Sequence, residues 1–264
     1  MPQKTARFLR HAHAAPKALA KNARHQFAAA HALLVFRTGA IYSLIPKNGC
    51  TSVRYSLAVA NGCIRGPDQF HWVHENNATF QADLREIACA PFTFVVLRHP
   101  LERLASVYLD KIVSREEAFW TIFDVQERQG EPDDLTFRKF VEILKSPLVL
   151  NSDIHWRPQA DFLVYEEYDA YIALDGLTKA APMLAERAGL DLLDARQLSR
   201  HGNDHYQTVE EGCHADLSPY DIRALRKEGK TIRHSDLYDD SLRRLAKDIY
   251  AGDIKLFNEK IGMK

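Results

Sequence analysis

The first chemically informative stretch of the chain is IYSLIPKNGCTSVRYSL, residues 41–57. An apolar run of strand character leads into a loop with a lysine, a glycine and two hydroxyl residues, and a segment of helical character follows. Backbone N–H groups at the start of a helix bind anions, and the helix dipole strengthens this binding. The glycine permits close backbone approach, while Lys47 adds a positive charge. The pattern predicts a phosphate-binding loop.

A second turn with phosphate-binding chemistry follows the apolar run FTFVVL, residues 92–97. Arg98 comes directly after this predicted strand, and Ser106 lies two turns into a helix predicted from Pro100. A guanidinium fork and a hydroxyl together suit a phosphate group. Taken alone, either turn has an ordinary structural explanation, as a turn signal or as half of an ion pair. Their presence together favours phosphate binding.

The spacing of the first loop differs from that of the nucleoside triphosphate loop, GxxxxGK[ST]. Here Lys47 precedes Gly49, and the hydroxyl residues follow Cys50. The position after FTFVVL, where a carboxylate for magnesium is expected, is occupied by Arg98. The two turns therefore predict phosphate binding without a metal, and a P-loop kinase or nucleotide hydrolase is the alternative.

These motifs carry a resemblance to a known family. IPKNGCTS resembles the 5′-phosphosulfate loop of the carbohydrate sulfotransferases related to the chondroitin, dermatan and heparan 2-O enzymes. VVLRHPLERLASVYLDKI is similar to that family's 3′-phosphate motif, although His99 stands where the family often has Asp. HWRPQ with the preceding Asp153, and DLYDDSLRRLAKDIYAGDIKLF, resemble two further segments. The likeness covers most of residues 32–257, but not 1–30 or about 190–230.

The resemblance implies a donor and the residues that bind it. The family's donor is 3′-phosphoadenosine 5′-phosphosulfate (PAPS). A sulfuryl group carries less charge than a phosphoryl group, so we expect no metal to be needed. Lys47 would stabilise charge on the bridging oxygen as the phosphate leaves, and Arg98 and Ser106 would bind the 3′-phosphate. The implied donor-binding residues are Pro46, Lys47, Asn48, Gly49, Cys50, Thr51, Ser52, Arg98 and Ser106.

Transfer to a hydroxyl also requires a base, and a histidine suits this task. The segments FHWVHENN and DIHWRPQ offer three candidates, which we rank His155, His74 and His71. In the heparan 2-O branch the base precedes the second phosphate motif, which favours His71 or His74. In the chondroitin-like branch the HW segment recurs, which favours His155, although a histidine beside an indole is equally common in protein cores. Arg157 is a candidate ligand of acceptor or donor, or a partner in an ion pair.

The elements that must position these residues alternate between strand and helix. HALLVF-RTG-AIYSLI predicts a β-hairpin, and FTFVVL and DAYIAL predict two further strands. Helices are expected after each phosphate turn, within residues 78–88 and throughout the C-terminal segment. This alternation predicts an α/β fold with a mainly parallel central sheet covered on both faces. The resemblance implies a P-loop-like, three-layer αβα arrangement.

Composition and charge limit the remaining possibilities. Of the 264 residues 46% are hydrophobic and 27% charged, which suits a globular enzyme. We expect a basic N-terminal arm over residues 1–30, which need not be fully ordered, and a single domain over 31–264. The four cysteines lack metal-ligand spacing and favour a reducing compartment without structural zinc.

The N-terminal quarter is strongly basic. The first 67 residues contain ten Lys and Arg and no Asp or Glu, which predicts an anionic partner. No nucleic-acid-binding motif is recognisable, so a non-catalytic nucleic-acid-binding protein is the weaker alternative, and we expect no such partner. No secretory signal and no membrane-length apolar run is present. We therefore expect a cytoplasmic, bacterial-type enzyme that acts on a carbohydrate or glycolipid and could touch an anionic membrane through residues 1–30.

Overall fold

A computed structural model of the chain describes residues 7–13, 18–125, 130–195, 198 and 206–262. The chain divides into two compact units. The sheet unit comprises Met1–Leu97, Gln159–Arg200 and Glu259–Lys264, and the helical unit comprises Arg98–Pro158 and His201–Asn258. Compact units of one chain can fold together, so the single domain expected over 31–264 stays a prediction.

Helices provide most of the regular structure in the described ranges. The α-helices, in chain order, are α1 (Ala23–Ala30), α2 (Cys50–Ala60), α3 (Trp72–Glu75), α4 (Leu84–Cys89), α5 (Pro100–Val107), α6 (Glu117–Val125), α7 (Phe137–Ile143), α8 (Pro147–Leu150), α9 (Ala181–Ala188), α10 (Pro219–Lys227), α11 (Asp240–Ile249) and α12 (Ala251–Lys260). Short 3-10 helices span Leu19–Lys21, Pro67–Gln69, Asn77–Phe80, Pro132–Asp134, Gln159–Phe162, Leu174–Gly176 and His234–Leu237. A π-helical turn, Tyr108–Ile112, follows α5 directly. Across the described residues, none of these helices has both the length and the apolar composition needed to cross a bilayer.

The central sheet lies in the sheet unit. Its strands, in spatial order, are β1 (Ala32–Val35), β2 (Ala40–Ser43), β3 (Thr93–Leu97) and β4 (Ala170–Ala173). β1 and β2 form the predicted antiparallel hairpin, whereas β2, β3 and β4 are parallel, with Ser43 opposite Val95 and Leu97 opposite Ala173. The predicted α/β fold with a mainly parallel central sheet is confirmed. Because parallel strands end at one edge, the loop after β2 starts beside the end of β3.

Each unit has its own apolar core. In the sheet unit Tyr42 of β2 stacks on Phe94 of β3 with ring centroids 5.0 Å apart, and both side chains are fully buried. In the helical unit Tyr108, Phe140 and Trp156 are fully buried. A side chain of this size stabilises its fold by ~1.5–3 kcal/mol. The helical unit also contains a short parallel pair, β5 (Gln207–Thr208) and β6 (Lys230–Thr231), which the sequence did not predict.

The described part of the N-terminal arm packs against the sheet unit. Leu9 forms an antiparallel bridge with Tyr165. The Arg7 guanidinium contacts the Asp169 carboxylate at 2.6 Å, and this carboxylate also accepts a bond of 2.7 Å from the backbone N–H of Thr93, at the start of β3. At least one of the basic residues of the arm is therefore used within the fold.

Two predicted helices differ in detail from the observed ones. In the segment 78–88 the helix begins only at Leu84, because Asp83 and Glu86 form a capping box that starts α4 there. The C-terminal helical segment is interrupted at Tyr250, which separates α11 from α12. Both changes are local, and the predicted order of strands and helices is unaffected.

Candidate active site

The loop of residues 46–49 joins β2 to α2 in the sheet unit. Lys47 and Gly49 both have positive φ, 70° and 72°. This conformation is unusual for a lysine and easy for a glycine. Gly49 is the N-cap of α2, and a Cβ atom there would lie 2.8 Å from Leu174 Cδ1 and 3.2 Å from Leu177 Cδ2. The backbone angle therefore favours glycine, and any other residue would also have to displace the ends of the Leu174 and Leu177 side chains.

Asn48 anchors the loop to the sheet. Its side chain is fully buried, and its Nδ2 donates to the carbonyl of Val96 in β3 at 2.8 Å and to Gln159 Oε1 at 2.6 Å. Gln159 is the last residue of HWRPQ and is itself 1% exposed. These bonds fix the loop at the carboxyl edge of the sheet, where α2 begins.

The first turn of α2 supplies the predicted donors. The first N–H groups of any α-helix have no partner within the helix, and α2 is 11 residues long, which gives it a substantial dipole. Cys50, Thr51 and Ser52 form this turn and are half-buried, as is Lys47. The Ser52 hydroxyl already accepts a bond of 3.3 Å from the backbone N–H of Ala195. Accepting this bond leaves the O–H of Ser52 able to donate. The N-terminus of α2 can therefore bind an anion through backbone N–H groups and hydroxyls.

Arg98 and Ser106 belong to the helical unit. Arg98 Nη2 lies 3.4 Å from His234 Nδ1, and its Nε lies 4.0 Å from a carboxylate oxygen of Glu102. Burial lowers the pKa of Arg98 and Glu102 opposes this shift, but an arginine side chain stays protonated in proteins. Ser106 is half-buried near the C-terminal end of α5. Arg98 is thus a half-buried cation at the start of the helix that carries Ser106.

His155 lies in a turn of the helical unit and contacts a carboxylate. Its Nδ1 is 2.7 Å from Asp153 Oδ1, and its backbone N–H donates to the same oxygen at 2.8 Å. Burial alone would raise the pKa of Asp153, but the hydrogen bonds from His155, with the charge of Lys111 nearby, hold it below its ordinary value. An ionised carboxylate can only accept hydrogen bonds, so this contact favours the ring form that carries its proton on Nδ1 and leaves Nε2 as an acceptor.

Two buried side chains hold the backbone of this turn. Arg103, 2% exposed, donates to the carbonyl of Arg157 at 2.8 Å and to the carbonyl of Ile154 at 3.3 Å. The Tyr250 hydroxyl donates to the carbonyl of Trp156 at 2.6 Å. The carbonyls on both sides of His155 are therefore fixed. Our sequence reasoning did not single out Arg103 or Tyr250, although Arg103 is the second arginine of the 3′-phosphate motif.

The other two candidate bases are in the sheet unit. His71 and His74 are exposed, beside and within the four-residue helix α3. Both rings are near Phe70, with centroid distances of 6.1 and 5.3 Å. The three candidates therefore do not share one unit, and the contact with Asp153 distinguishes His155. Arg157, the tentative substrate ligand, is half-buried in the same turn as His155.

No group of three or more His, Cys, Asp or Glu residues in the described ranges could hold a metal ion. This finding does not test whether the reaction needs a metal, so the metal-free site stays a prediction.

Comparison with known families covers most of the chain. A model of the sulfotransferase family matches residues 31–258. The chain belongs to the sulfotransferase family. The resemblance read from the two phosphate motifs is confirmed, and the observed mainly parallel α/β sheet agrees with the P-loop-like αβα fold of this family.

Two proteins with similar sequences are named carbohydrate sulfotransferases. Over 149 residues the chain is 30% identical to carbohydrate sulfotransferase 14 of Mus musculus and 29% identical to that of Homo sapiens. Each match covers 48% of this chain and 38% of the relative, so it spans well under half the length of either relative. No solved structure matches the chain.

Proposed function

We propose that this protein transfers a sulfuryl group from PAPS to a hydroxyl of a carbohydrate or glycan-containing acceptor. In this reaction the acceptor oxygen attacks sulfur, the bond from sulfur to the bridging oxygen of the 5′-phosphate breaks, and adenosine 3′,5′-bisphosphate leaves. The acceptor proton must pass to a base. Membership of the sulfotransferase family supports the reaction class, and the names of the two relatives support a carbohydrate acceptor.

The observation that carries the proposal is the geometry of the loop 46–49. Positive φ at both Lys47 and Gly49, and the close approach of Gly49 to Leu174, form a tight turn at the N-terminus of an 11-residue helix. Such a turn suits the 5′-phosphosulfate end of PAPS, which would be bound by backbone N–H groups and by the hydroxyls of Thr51 and Ser52. Lys47 would stabilise the negative charge that develops on the bridging oxygen.

Arg98 and Ser106 are proposed to bind the 3′-phosphate of the donor. A partly desolvated guanidinium binds phosphate more strongly than an exposed one, because water screens the charge less. The burial that lowers the pKa of Arg98 therefore suits this role.

His155 is the proposed base. Its Nε2 would accept the proton, and with 25% relative exposure the side chain can be reached by a substrate. His74 and His71 remain the second and third candidates for the base, and Arg157 remains a proposed ligand of the acceptor. A cytoplasmic location, and membrane contact through residues 1–30, remain predictions from the sequence.

The direct test is transfer of radiolabelled sulfur from PAPS to a panel of neutral, amino and acidic oligosaccharides. We expect label on at least one acceptor without added magnesium. His155→Ala should lower kcat by ~10²-fold or more, the usual contribution of a general base. His74→Ala and His71→Ala distinguish the candidates, because a comparable loss in either, with His155→Ala fully active, would overturn the assignment of the base.

If no oligosaccharide in the panel is labelled, binding of adenosine 3′,5′-bisphosphate distinguishes between two explanations. If no acceptor is labelled but adenosine 3′,5′-bisphosphate binds, the panel lacks the right acceptor. If the bisphosphate does not bind and ATP is turned over with magnesium, the sulfotransferase proposal is wrong and the kinase or hydrolase alternative replaces it.

A further inference from the structure

Asp153 and His155 form a hydrogen-bonded pair in the turn of the helical unit. Both side chains are mostly buried, with 17% and 25% relative exposure. One oxygen, Asp153 Oδ1, accepts from both the backbone N–H and the ring of His155. The bond from the backbone N–H holds the carboxylate in place, and the carboxylate in turn holds the ring through Nδ1, which limits rotation of the imidazole. The pair therefore fixes the direction in which the far side of the imidazole points.

The charged groups around the pair favour an ionised Asp153. Lys111, in the π-helical turn, contacts the carboxylates of Asp110 at 3.1 Å and Glu116 at 2.5 Å, and its positive charge also acts on Asp153. The same burial that would raise the pKa of Asp153 is outweighed by the bonds from His155. An ionised Asp153 favours a proton on Nδ1 over the tautomer that carries its proton on Nε2.

The backbone beneath the pair is equally restrained. Arg103 donates to the carbonyls of Ile154 and Arg157, and Tyr250 donates to the carbonyl of Trp156. The Trp156 side chain is fully buried, so the turn is also anchored in the core of the helical unit. A turn built only to pass the chain along the surface would not need a buried arginine and a buried tyrosine.

We propose that Asp153 is a positioning residue for His155: its carboxylate retains the Nδ1 proton and presents Nε2 as the proton acceptor, on a turn that Arg103 and Tyr250 hold in place. The inference rests on the proposed sulfuryl transfer. As the acceptor oxygen bonds to sulfur and the bridging S–O bond breaks, the hydroxyl proton moves to Nε2, while the Nδ1 proton stays hydrogen-bonded to Asp153. The resulting imidazolium is stabilised by the adjacent negative charge.

The variant that tests this role is Asp153→Asn, which keeps the size of the side chain and removes its charge. An asparagine can donate to Nδ1 and so favour the tautomer with its proton on Nε2. We expect kcat to fall ~10²–10⁴-fold, as when the orienting carboxylate of a catalytic histidine is neutralised in another enzyme. The Kd for adenosine 3′,5′-bisphosphate should change less than twofold. Asp221→Asn is the matched control, because Asp221 is an exposed aspartate that bonds to Ser218, and its kcat should be unchanged.

A second readout does not depend on activity. Nitrogen-15 NMR of histidine-labelled protein reports the tautomer of each ring, and the His155 signal is identified by its loss in His155→Gln. We expect the neutral ring of His155 to carry its proton on Nδ1 in the wild-type protein and on Nε2 in Asp153→Asn.

Each outcome decides the proposal. A wild-type ring protonated on Nε2, or an Asp153→Asn variant with kcat within threefold of wild type, overturns it. Equal losses of kcat, bisphosphate binding and thermal stability indicate a structural role only and also overturn it. If the bisphosphate does not bind and ATP is turned over with magnesium, the proposed function fails separately, and the tautomer measurement still decides whether Asp153 orients His155.

Discussion

The loop 46–49 of the sheet unit and the turn 153–157 of the helical unit are both irregular, yet they are held in opposite ways. The loop anchors itself, since its own Asn48 donates outward to the sheet and its shape depends on backbone angles at Lys47 and Gly49. The turn is anchored from outside, by donors on α5 and at the end of α11. The first arrangement leaves backbone N–H groups for a ligand, and the second presents one side chain.

This difference determines which substitutions should matter. In the loop, the sensitive positions are the loop residues themselves, because they set the backbone conformation. In the turn, residues distant in the sequence should matter as much as the turn itself, because they supply the hydrogen bonds. Substitutions at Arg103, Gly49 and Asp153 distinguish the two arrangements, and we expect their effects on stability to decrease in that order.

Arg103→Met should destabilise the protein most. It leaves two partly buried carbonyls, of Ile154 and Arg157, without their donor, and each such loss costs ~1–3 kcal/mol. We expect the free energy of unfolding, measured by urea denaturation, to fall by ~2–4 kcal/mol.

The control for Arg103→Met is Arg243→Met. The Arg243 guanidinium lies 5.3 Å above the centre of the Tyr238 ring, an interaction that contributes ~0.5–1 kcal/mol. Equal losses in the two variants would show that external donors do not hold the turn, and the contrast with the loop would fail.

Gly49→Ala should have an intermediate effect on stability and a larger one on binding. A left-handed backbone costs an alanine ~1–2 kcal/mol, and the new Cβ would lie 2.8 Å from Leu174 Cδ1. Gly62→Ala is a close control, since Gly62 has φ +73° and a Cβ there would meet nothing within 4 Å.

We expect both glycine variants to be destabilised by the left-handed backbone. Only Gly49→Ala should lose affinity for adenosine 3′,5′-bisphosphate, by tenfold or more. Calorimetric titration and urea denaturation of the two variants measure these effects. Unchanged binding in Gly49→Ala would mean that the shape of this loop does not serve the donor.

The smallest effect concerns pH and belongs to the turn. Because the folded state lowers the pKa of Asp153, the unfolded chain binds this proton at higher pH. The stability that results is present above the unfolded value of ~3.9 and is lost as the pH falls through the folded value. As the pH falls below ~4, the free energy of unfolding of Asp153→Asn should therefore decrease less than that of wild type. In a plot of the free energy of unfolding against pH, Gly49→Ala should have the same slope as wild type. Identical slopes in wild type and Asp153→Asn would contradict the lowered pKa.

The same contrast explains what could be predicted from the sequence. The hairpin, β3 and α2 were predictable because apolar runs, a glycine-containing turn and helical spacing are local signals. The loop 46–49 was predictable for the same reason, because Lys47 and Gly49 lie within a few residues of the hydroxyls of Thr51 and Ser52. The positive φ of Lys47 was not predicted, because lysine rarely adopts this conformation and nothing in the local sequence indicates it.

The support of His155 could not be predicted, because it comes from residues far away in the sequence. Arg103 and Tyr250 are separated from the turn by more than 45 residues and reach it only through the tertiary fold. The spacing Asp-Ile-His, which allows Asp153 to bond both the backbone and ring of His155, was the available local signal. The π-helical turn after α5 had no signal that we could identify.

The central claim, that the two phosphate motifs bind the two ends of PAPS, is tested most directly by calorimetric titration with adenosine 3′,5′-bisphosphate without magnesium, beside ATP with magnesium. Lys179→Ala, an exposed lysine outside both motifs, is the control for Lys47→Ala and Arg98→Ala. We expect wild type and Lys179→Ala to bind the bisphosphate, and Lys47→Ala and Arg98→Ala to lose this binding. Binding of ATP but not of the bisphosphate, or bisphosphate binding that survives both substitutions, would contradict the claim.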